Sequence, residues 1–189
     1  PDLDEYRVLH FATHGLVTAP NPNCPAKPAL VTSFGGTGSD GLLSFEEIFE
    51  LNLDADLVIL SACDTAGAAS VEATRLAGVS SGGGTGLEGL VRAFGGAGGR
   101  TVMASHWPVP DSFDATERLM TEMFRRGQGQ KIGAAIAQSQ QLLMDDARTS
   151  HPFYWSAFAV IGDAARPLIT TRGAQGSDVA LAANLAGGE

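Results

Sequence analysis

Four short runs rich in apolar residues predict the β-strands of this chain. They occupy residues 8–12, 57–62, 101–104 and 157–161. In the second run, residues 57–60 are apolar at every position instead of at alternate positions. A strand of this kind is typical of a parallel sheet that is buried on both faces. Helices are therefore expected to cover both sides of the sheet.

The segments between these strands carry helical patterns. Ser44 and Glu47 stand three positions apart, as in a capping box, and predict that a helix begins there. A second helix is expected over residues 89–97, although its glycines weaken it. Residues 112–126 and 132–143 each place apolar side chains on one helical face. The alternation of strands and helices indicates a layered α/β fold with right-handed crossovers.

Length and composition favour one domain with a short tail. The chain has 189 residues, of which 44% are hydrophobic, enough for a proper core. We expect a domain over residues 1–168 and a flexible or docked tail over residues 169–189. Residues 64–86 are rich in Gly, Ala and Ser and predict a mobile loop. Because Pro1 leads almost directly into a strand-like run, the chain is expected to be part of a longer protein.

Charge and cysteine content exclude several functional classes. The chain has 21 acidic and 12 basic residues, so it lacks the cationic surface that nucleic acids require. No apolar run approaches the about 20 residues that cross a bilayer, so no membrane contact is expected. Two cysteines, Cys24 and Cys63, are too few for a disulfide framework and favour a reducing, cytoplasmic setting. Neither has partners at metal-ligand spacing, so neither a metal site nor a cofactor is predicted.

Reactive residues follow two of the predicted strands. The first strand leads into His14 and Gly15, and the second leads into Cys63. Parallel strands open onto a crevice at their carboxyl ends, and neighbouring strands there lie about 4.8 Å apart. An imidazole can take the proton of a thiol, and the N–H groups of Gly15 and Cys63 can bind a developing oxyanion. If the two strands are neighbours, this arrangement predicts a cysteine nucleophile beside its base.

Each of these residues taken singly has a simpler interpretation. A cysteine after a buried strand is most often a small core residue. His10 lies inside the first strand and is expected to be a hydrogen-bonded core histidine. Cys24 lies in a Pro-rich turn without a histidine near it in sequence, so it is expected to take no part. The catalytic interpretation depends on His14 and Cys63 occurring together at two strand ends.

Five segments in a fixed order carry a more specific signal. They are HFATHG (residues 10–15), LSACDT (60–65), GLEGLVRAF (86–94), WPVPD (107–111) and HPFYWSAF with IGD shortly after it (151–163). Over about residues 8–163 they resemble the CHAT domain, a caspase-like cysteine peptidase module often found behind tetratricopeptide repeats. His14 precedes Cys63 by about 50 residues, which agrees with the spacing in caspases. The resemblance implies a three-layer α/β/α sandwich with a mainly parallel central sheet, in which His14 is the catalytic histidine and Cys63 the nucleophile.

Asp111 follows the third predicted strand and can reach the same crevice. Separase-like peptidases have a similar Trp-x-Val-x-Asp segment, whose aspartate lies in the pocket for the residue before the cut. The resemblance therefore implies that Asp111 binds substrate and that cleavage follows Arg or Lys. Asp111 is equally suited to cap a helix that begins at Ser112, with Asp114 three residues on. The sequence leaves both roles open.

Two further residues give rise to separate hypotheses. His106 stands before Trp107 and is a candidate for the cleft. Arg75 lies in the predicted loop, and the implied preference for basic residues makes it a hypothetical self-cleavage point during activation. Two other motifs, G-x-G-x-x-G at residues 84–89 and G-x-S-x-G at residues 78–82, lack the preceding strand that nucleotide binding or serine catalysis needs.

Together these observations predict a cysteine endopeptidase that cleaves a protein or peptide substrate through Cys63 and His14. The family resemblance implies control by an upstream tetratricopeptide-repeat or sensor region. The alternative is a catalytically silent caspase-like scaffold that binds a protein partner and retains both residues without using them.

Overall fold

The computed structural model of the protein describes residues 2–16, 29–32, 39–61, 86–107, 112–169 and 179–182. Strands and helices in these ranges are, in chain order, β1 (Val8–Phe11), β2 (Gly15–Leu16), β3 (Ala29–Val31), β4 (Leu42–Ser44), α1 (Phe45–Glu50), β5 (Leu57–Leu60), α2 (Gly86–Gly96), β6 (Thr101–Ser105), α3 (Ala115–Arg126), α4 (Ile132–Met144), α5 (Pro152–Trp155), β7 (Phe158–Gly162) and β8 (Val179–Ala182). Short 3-10 helices occupy Leu3–Glu5 and Ser112–Asp114. Within these ranges, no helix is both long and apolar enough to cross a bilayer.

Five strands form the central sheet, in the order β7-β6-β5-β1-β8. β8, β1, β5 and β6 run parallel to their neighbours, and β7 runs antiparallel to β6 at one edge. All side chains of the central strand β5 are buried, as are those of β6. The unbroken apolar pattern of β5 therefore predicted its place correctly, because a central strand is covered on both faces. The mainly parallel sheet is confirmed.

Helices cover both faces of this sheet. α1 and α2 pack on one face, in a core that includes Leu9, Phe45, Ile48, Val58, Leu60, Leu90, Phe94 and Val102. α3 and α4 pack on the other face, in a core that includes Val8, Leu57, Ile59, Met103, Leu119, Met123, Ile132, Leu143 and Phe158. Burial of such a side chain contributes about 1.5–3 kcal/mol. The predicted three-layer α/β/α arrangement is confirmed.

A second, smaller sheet lies between β1 and α1 in the sequence. β2, β3 and β4 form it as antiparallel neighbours in that order. The sequence analysis did not predict these strands, each only two or three residues long. β2 begins directly after His14, so the small sheet lies beside this candidate residue. β8 was also not predicted. It falls within residues 169–189 and pairs with β1. The expected boundary between a domain over residues 1–168 and a tail stays a prediction.

Two helix starts show where sequence signals succeed and fail. Ser44 caps α1, and its hydroxyl accepts a hydrogen bond from the N–H of Glu47 at 3.3 Å, while its own N–H donates to the Glu47 carboxylate at 2.8 Å. The capping box is confirmed. The helix expected from Ser112 begins only at Ala115, because Phe113 and the following residue adopt left-handed φ angles of 61° and 52°. Phe113 is 48% exposed, so the prediction of a helix over residues 112–126 is wrong for its first three residues.

A cluster of charged side chains joins the amino ends of the parallel strands. Asp56 stands just before β5, is buried, and accepts hydrogen bonds from the Nε–H groups of Arg7 at 2.9 Å and Arg166 at 2.7 Å. Asp54 pairs with Arg7 at 2.5 Å and with Arg100. The Arg100 hydrogen bond lowers the pKa of Asp54. This arginine–aspartate cluster holds β1, β5 and β6 together at the edge opposite their carboxyl ends.

Candidate active site

β1 and β5 end side by side, at the same edge of the sheet. Phe11 is the register partner of Leu60, and the N–H of Ser61 donates to the carbonyl of Phe11 at 3.0 Å. His14 and Cys63 follow Phe11 and Leu60 at equal sequence distance. The two strands are therefore parallel neighbours, which is the condition for the predicted pairing of nucleophile and base. Cys63 itself lies outside the described residues, so its approach to the imidazole stays a prediction.

His14 lies between the central sheet and the small sheet. Its carbonyl accepts a hydrogen bond from the N–H of Val31 in β3 at 2.8 Å, and the hydroxyl of the preceding Thr13 donates to the carbonyl of Val31 at 2.5 Å. These two bonds hold the backbone on which the imidazole is carried. The residue itself is exposed. A proton-transfer group in this place can reach a substrate that approaches from solvent.

Gly15 begins β2, and its backbone N–H faces away from the small sheet. It is the register partner of Leu30 in the antiparallel pair of β2 and β3. Successive residues of an antiparallel strand direct their N–H and C=O groups to opposite sides. Because the His14 carbonyl points to β3, where Val31 donates to it, the N–H of Gly15 points away from β3. Without a side chain, Gly15 also leaves room for a carbonyl to approach this N–H.

His10 stands inside β1 and forms a side-chain hydrogen bond to the neighbouring strand. Its Nε2 lies 2.8 Å from the hydroxyl oxygen of Ser61. The ring is partly buried, and this burial lowers the pKa of His10. The expected hydrogen-bonded histidine is confirmed, but the sequence analysis missed its partner. The register of the two strands identifies this partner. His10 pairs with Ile59, and Ser61 lies two residues after Ile59, so its side chain is on the same face of the sheet.

The residues that follow β6 add aromatic side chains to this edge of the sheet. His106 follows β6, is exposed, and its backbone N–H donates to the carbonyl of Ala157 at 2.8 Å. The indole N–H of Trp107 donates to the carbonyl of Phe153 at 3.2 Å. Tyr154 packs at the margin of the core. A role for His106 in a cleft stays a prediction.

Several candidate residues fall outside the described part of the chain. They are Cys24, Cys63, Arg75 and Asp111. Asp111 immediately precedes the 3-10 helix Ser112–Asp114, but neither its capping role nor its substrate-binding role is tested. Among the described residues, no three His, Cys, Asp or Glu side chains are grouped so that they could hold a metal ion.

Comparisons with known proteins agree with this architecture. The chain is 28% identical over 124 residues to the mouse protein named tetratricopeptide repeat protein 28, and 28% identical over 123 residues to its human counterpart. Each alignment covers 64% of this chain but only 4% of the relative, so the chain corresponds to a small part of those proteins. The family model described as the CHAT domain matches residues 2–163. The match spans β1 to β7 and includes both strand ends that define the candidate site. With its mainly parallel sheet, covering helices and this match, the chain belongs to the CHAT domain family, a peptidase-like family with a caspase-like fold.

Proposed function

We propose that the protein is a cysteine endopeptidase that uses Cys63 as nucleophile and His14 as proton-transfer group. The observation that supports this most is the register of β1 and β5, which brings the chain segments before His14 and Cys63 to one edge of the sheet. Two reactive groups reach each other easily when they follow neighbouring parallel strands, because these strands are about 4.8 Å apart. The exposed position of His14 adds to the argument.

The reaction proceeds in two steps through an acyl-enzyme. The thiolate of Cys63 attacks the carbonyl carbon of the peptide bond, and the N–H groups of Gly15 and Cys63 bind the oxyanion. The C–N bond then breaks as His14 protonates the leaving amine. In the second step, His14 takes a proton from water and the resulting hydroxide attacks the thioester carbon. The C–S bond then breaks, which restores the Cys63 thiolate and releases the carboxylic acid. Side-chain and backbone groups supply each of these steps, so the proposal includes neither a metal nor a cofactor.

Asp111 is proposed to select the substrate. A partly desolvated carboxylate beside the cleft pairs best with a long cationic side chain, so cleavage after Arg or Lys is expected. The net charge of −9 attracts a basic segment in general but does not choose a residue. Asp111→Ala should remove the preference for Arg and Lys. An unchanged preference in this variant would contradict the assignment.

The proposal extends to the biological setting. Both relatives carry the name of a tetratricopeptide repeat protein, which supports an upstream repeat region that presents a protein substrate and controls cleavage. Two cysteines in the whole chain agree with a cytoplasmic location. Cleavage of the segment 64–86 at Arg75 belongs to the same proposal. Mass spectrometry that finds this segment intact in every active preparation would remove it.

Digestion of a peptide library tests the proposed activity. The parent chain and Cys24→Ala should produce the same cleavage products, and Cys63→Ala and His14→Ala should produce none above background. Cys24→Ala is the matched control because it removes the other cysteine of the chain. Equal cleavage by the parent and Cys63→Ala would contradict the proposal. Complete absence of cleavage by the parent would favour a scaffold that binds a protein partner.

A further inference from the structure

One polar pair connects the two strands that precede the candidate catalytic residues. His10 in β1 and Ser61 at the end of β5 are joined by a 2.8 Å hydrogen bond between Nε2 and Oγ. Around this pair the strands are apolar: Val8, Leu9 and all residues of β5 are buried hydrophobic side chains. A polar pair in such surroundings has to satisfy its own hydrogen bonds, which restricts where its members can sit.

The pair lies where the ladder between the strands ends. The last register partners are Phe11 and Leu60, and the N–H of Ser61 makes a backbone bond to Phe11 at 3.0 Å. In the sequence, three residues separate His10 from His14, and a single residue separates Ser61 from Cys63. The side-chain bond therefore holds the end of β5 against β1 on one face, next to the point where the nucleophile segment leaves the sheet.

The chemistry of the ring fits a structural link of fixed geometry. The partial burial of His10 lowers its pKa, which favours the neutral form of the ring. A neutral imidazole has one N–H donor and one acceptor nitrogen, and the serine hydroxyl can serve as either partner. The link consequently needs no charged neighbour. It also differs from apolar packing, because a hydrogen bond restricts both distance and direction.

We infer that His10 and Ser61 position the nucleophile: their hydrogen bond fixes the end of β5 relative to β1 and so sets the approach of the Cys63 sulfur to the His14 imidazole. This inference rests on the proposed function. His10 acts through Ser61 and is a positioning residue, since it is not expected to touch substrate. A displacement of about 1 Å in a catalytic group can lower the rate by roughly a hundredfold, which gives the scale of the effect.

Four single variants of the full chain, and one double variant, test the inference in a Cys24→Ala background. Ser61→Ala and His10→Leu remove the bond, while His10→Gln keeps an amide group near the position of Nε2. Ser44→Ala is the matched control, because it removes a serine hydroxyl that caps α1 instead. The probe is a fluorogenic peptide with Arg before an aminocoumarin leaving group. Rates are expressed per folded molecule, as determined by circular dichroism.

Ser61→Ala and His10→Leu should each lower kcat by roughly ten- to a hundredfold and change KM by less than about twofold. His10→Gln should stay within about threefold of the parent, and Ser44→Ala should have the parental kcat. Combining His10→Leu with Ser61→Ala should lower kcat no further than either change alone, because both remove one bond. If His10→Leu does not fold, Ser61→Ala and His10→Gln suffice for the decision.

These measurements distinguish failure of the positioning role from failure of the proposed function. If Cys63→Ala is inactive but Ser61→Ala and His10→Leu cleave at the parental rate, the positioning role is wrong and the proposed function stands. Rates for His10→Gln as low as those for His10→Leu, or additive losses in the double variant, would also overturn the positioning role. If the parent cleaves neither the probe nor any member of the peptide library faster than Cys63→Ala, the proposed function is wrong and the inference fails with it.

Discussion

Replacement of Asp56 by Ala should destabilise the fold without changing the candidate active site. Asp56 is 7% exposed, and its carboxylate accepts hydrogen bonds from Arg7 and Arg166. Removing one partner of a buried ion pair costs about 3–5 kcal/mol. Here the two arginine side chains are 35% and 34% exposed, so water can hydrate them, and Arg7 also retains its pair with Asp54. We therefore expect a loss of about 2–3 kcal/mol.

Urea unfolding followed by circular dichroism measures this loss. For a chain of this length it corresponds to a decrease in Tm of roughly 4–12 °C. Asp54→Ala is the matched control, because the Asp54 side chain is 48% exposed and its removal should cost less than that of Asp56. Peptide cleavage per folded molecule should be unchanged in both variants, since the arginine–aspartate cluster lies at the amino edge of the sheet. A loss for Asp56→Ala no larger than that for Asp54→Ala would refute the reasoning.

Three further predictions concern stability. Ser44→Ala removes the cap of α1 and should cost about 1 kcal/mol in urea unfolding; an unchanged unfolding midpoint would contradict the capping role. Gly98→Ala should lower the free energy of unfolding by about 1–3 kcal/mol, because Gly98 has a φ of 111° and a Cβ there would lie 2.0 Å from the Leu53 carbonyl oxygen. A parental Tm in thermal melting would contradict this. The hydrogen bond from Arg125 lowers the pKa of Glu122 from 4.5 to about 2. The stabilisation from the Glu122 carboxylate is therefore complete above pH 4.5 and lost as the pH falls through about 2. In Glu122→Gln, the free energy of unfolding should consequently fall less steeply with decreasing pH in this range. Parallel curves of unfolding free energy against pH for the parent and the variant would contradict this.

The central sheet was predictable because its strands carry a local signal. The apolar run of β5 could only suit a strand covered on both faces, and the capping box at Ser44 marked the start of α1. β2, β3 and β4 gave no comparable signal, because two or three residues cannot show a period. β8 was missed because its pairing with β1 joins residues far apart in sequence. Phe113 was misplaced because apolar spacing does not reveal the left-handed backbone at residues 113–114, which delays the start of α3.

The candidate site was predictable in outline. Strand ends and family resemblance selected His14 and Cys63, and the register of β1 and β5 agrees with that choice. The hydrogen bond between His10 and Ser61 required the register itself, because the two residues belong to different strands. Single-residue interpretation treated His10 only as a core residue. A comparison of positions across the two strands would have identified its partner.

Alkylation of Cys63 by iodoacetamide, followed against pH in the Cys24→Ala background, tests the central claim most directly. A thiol activated by His14 should react well below the pH of about 8.5 at which a free cysteine becomes reactive. His14→Ala should then move the curve to higher pH. If both proteins react along the same curve centred near pH 8.5, or if neither reacts while folded, Cys63 is not the activated nucleophile of this domain.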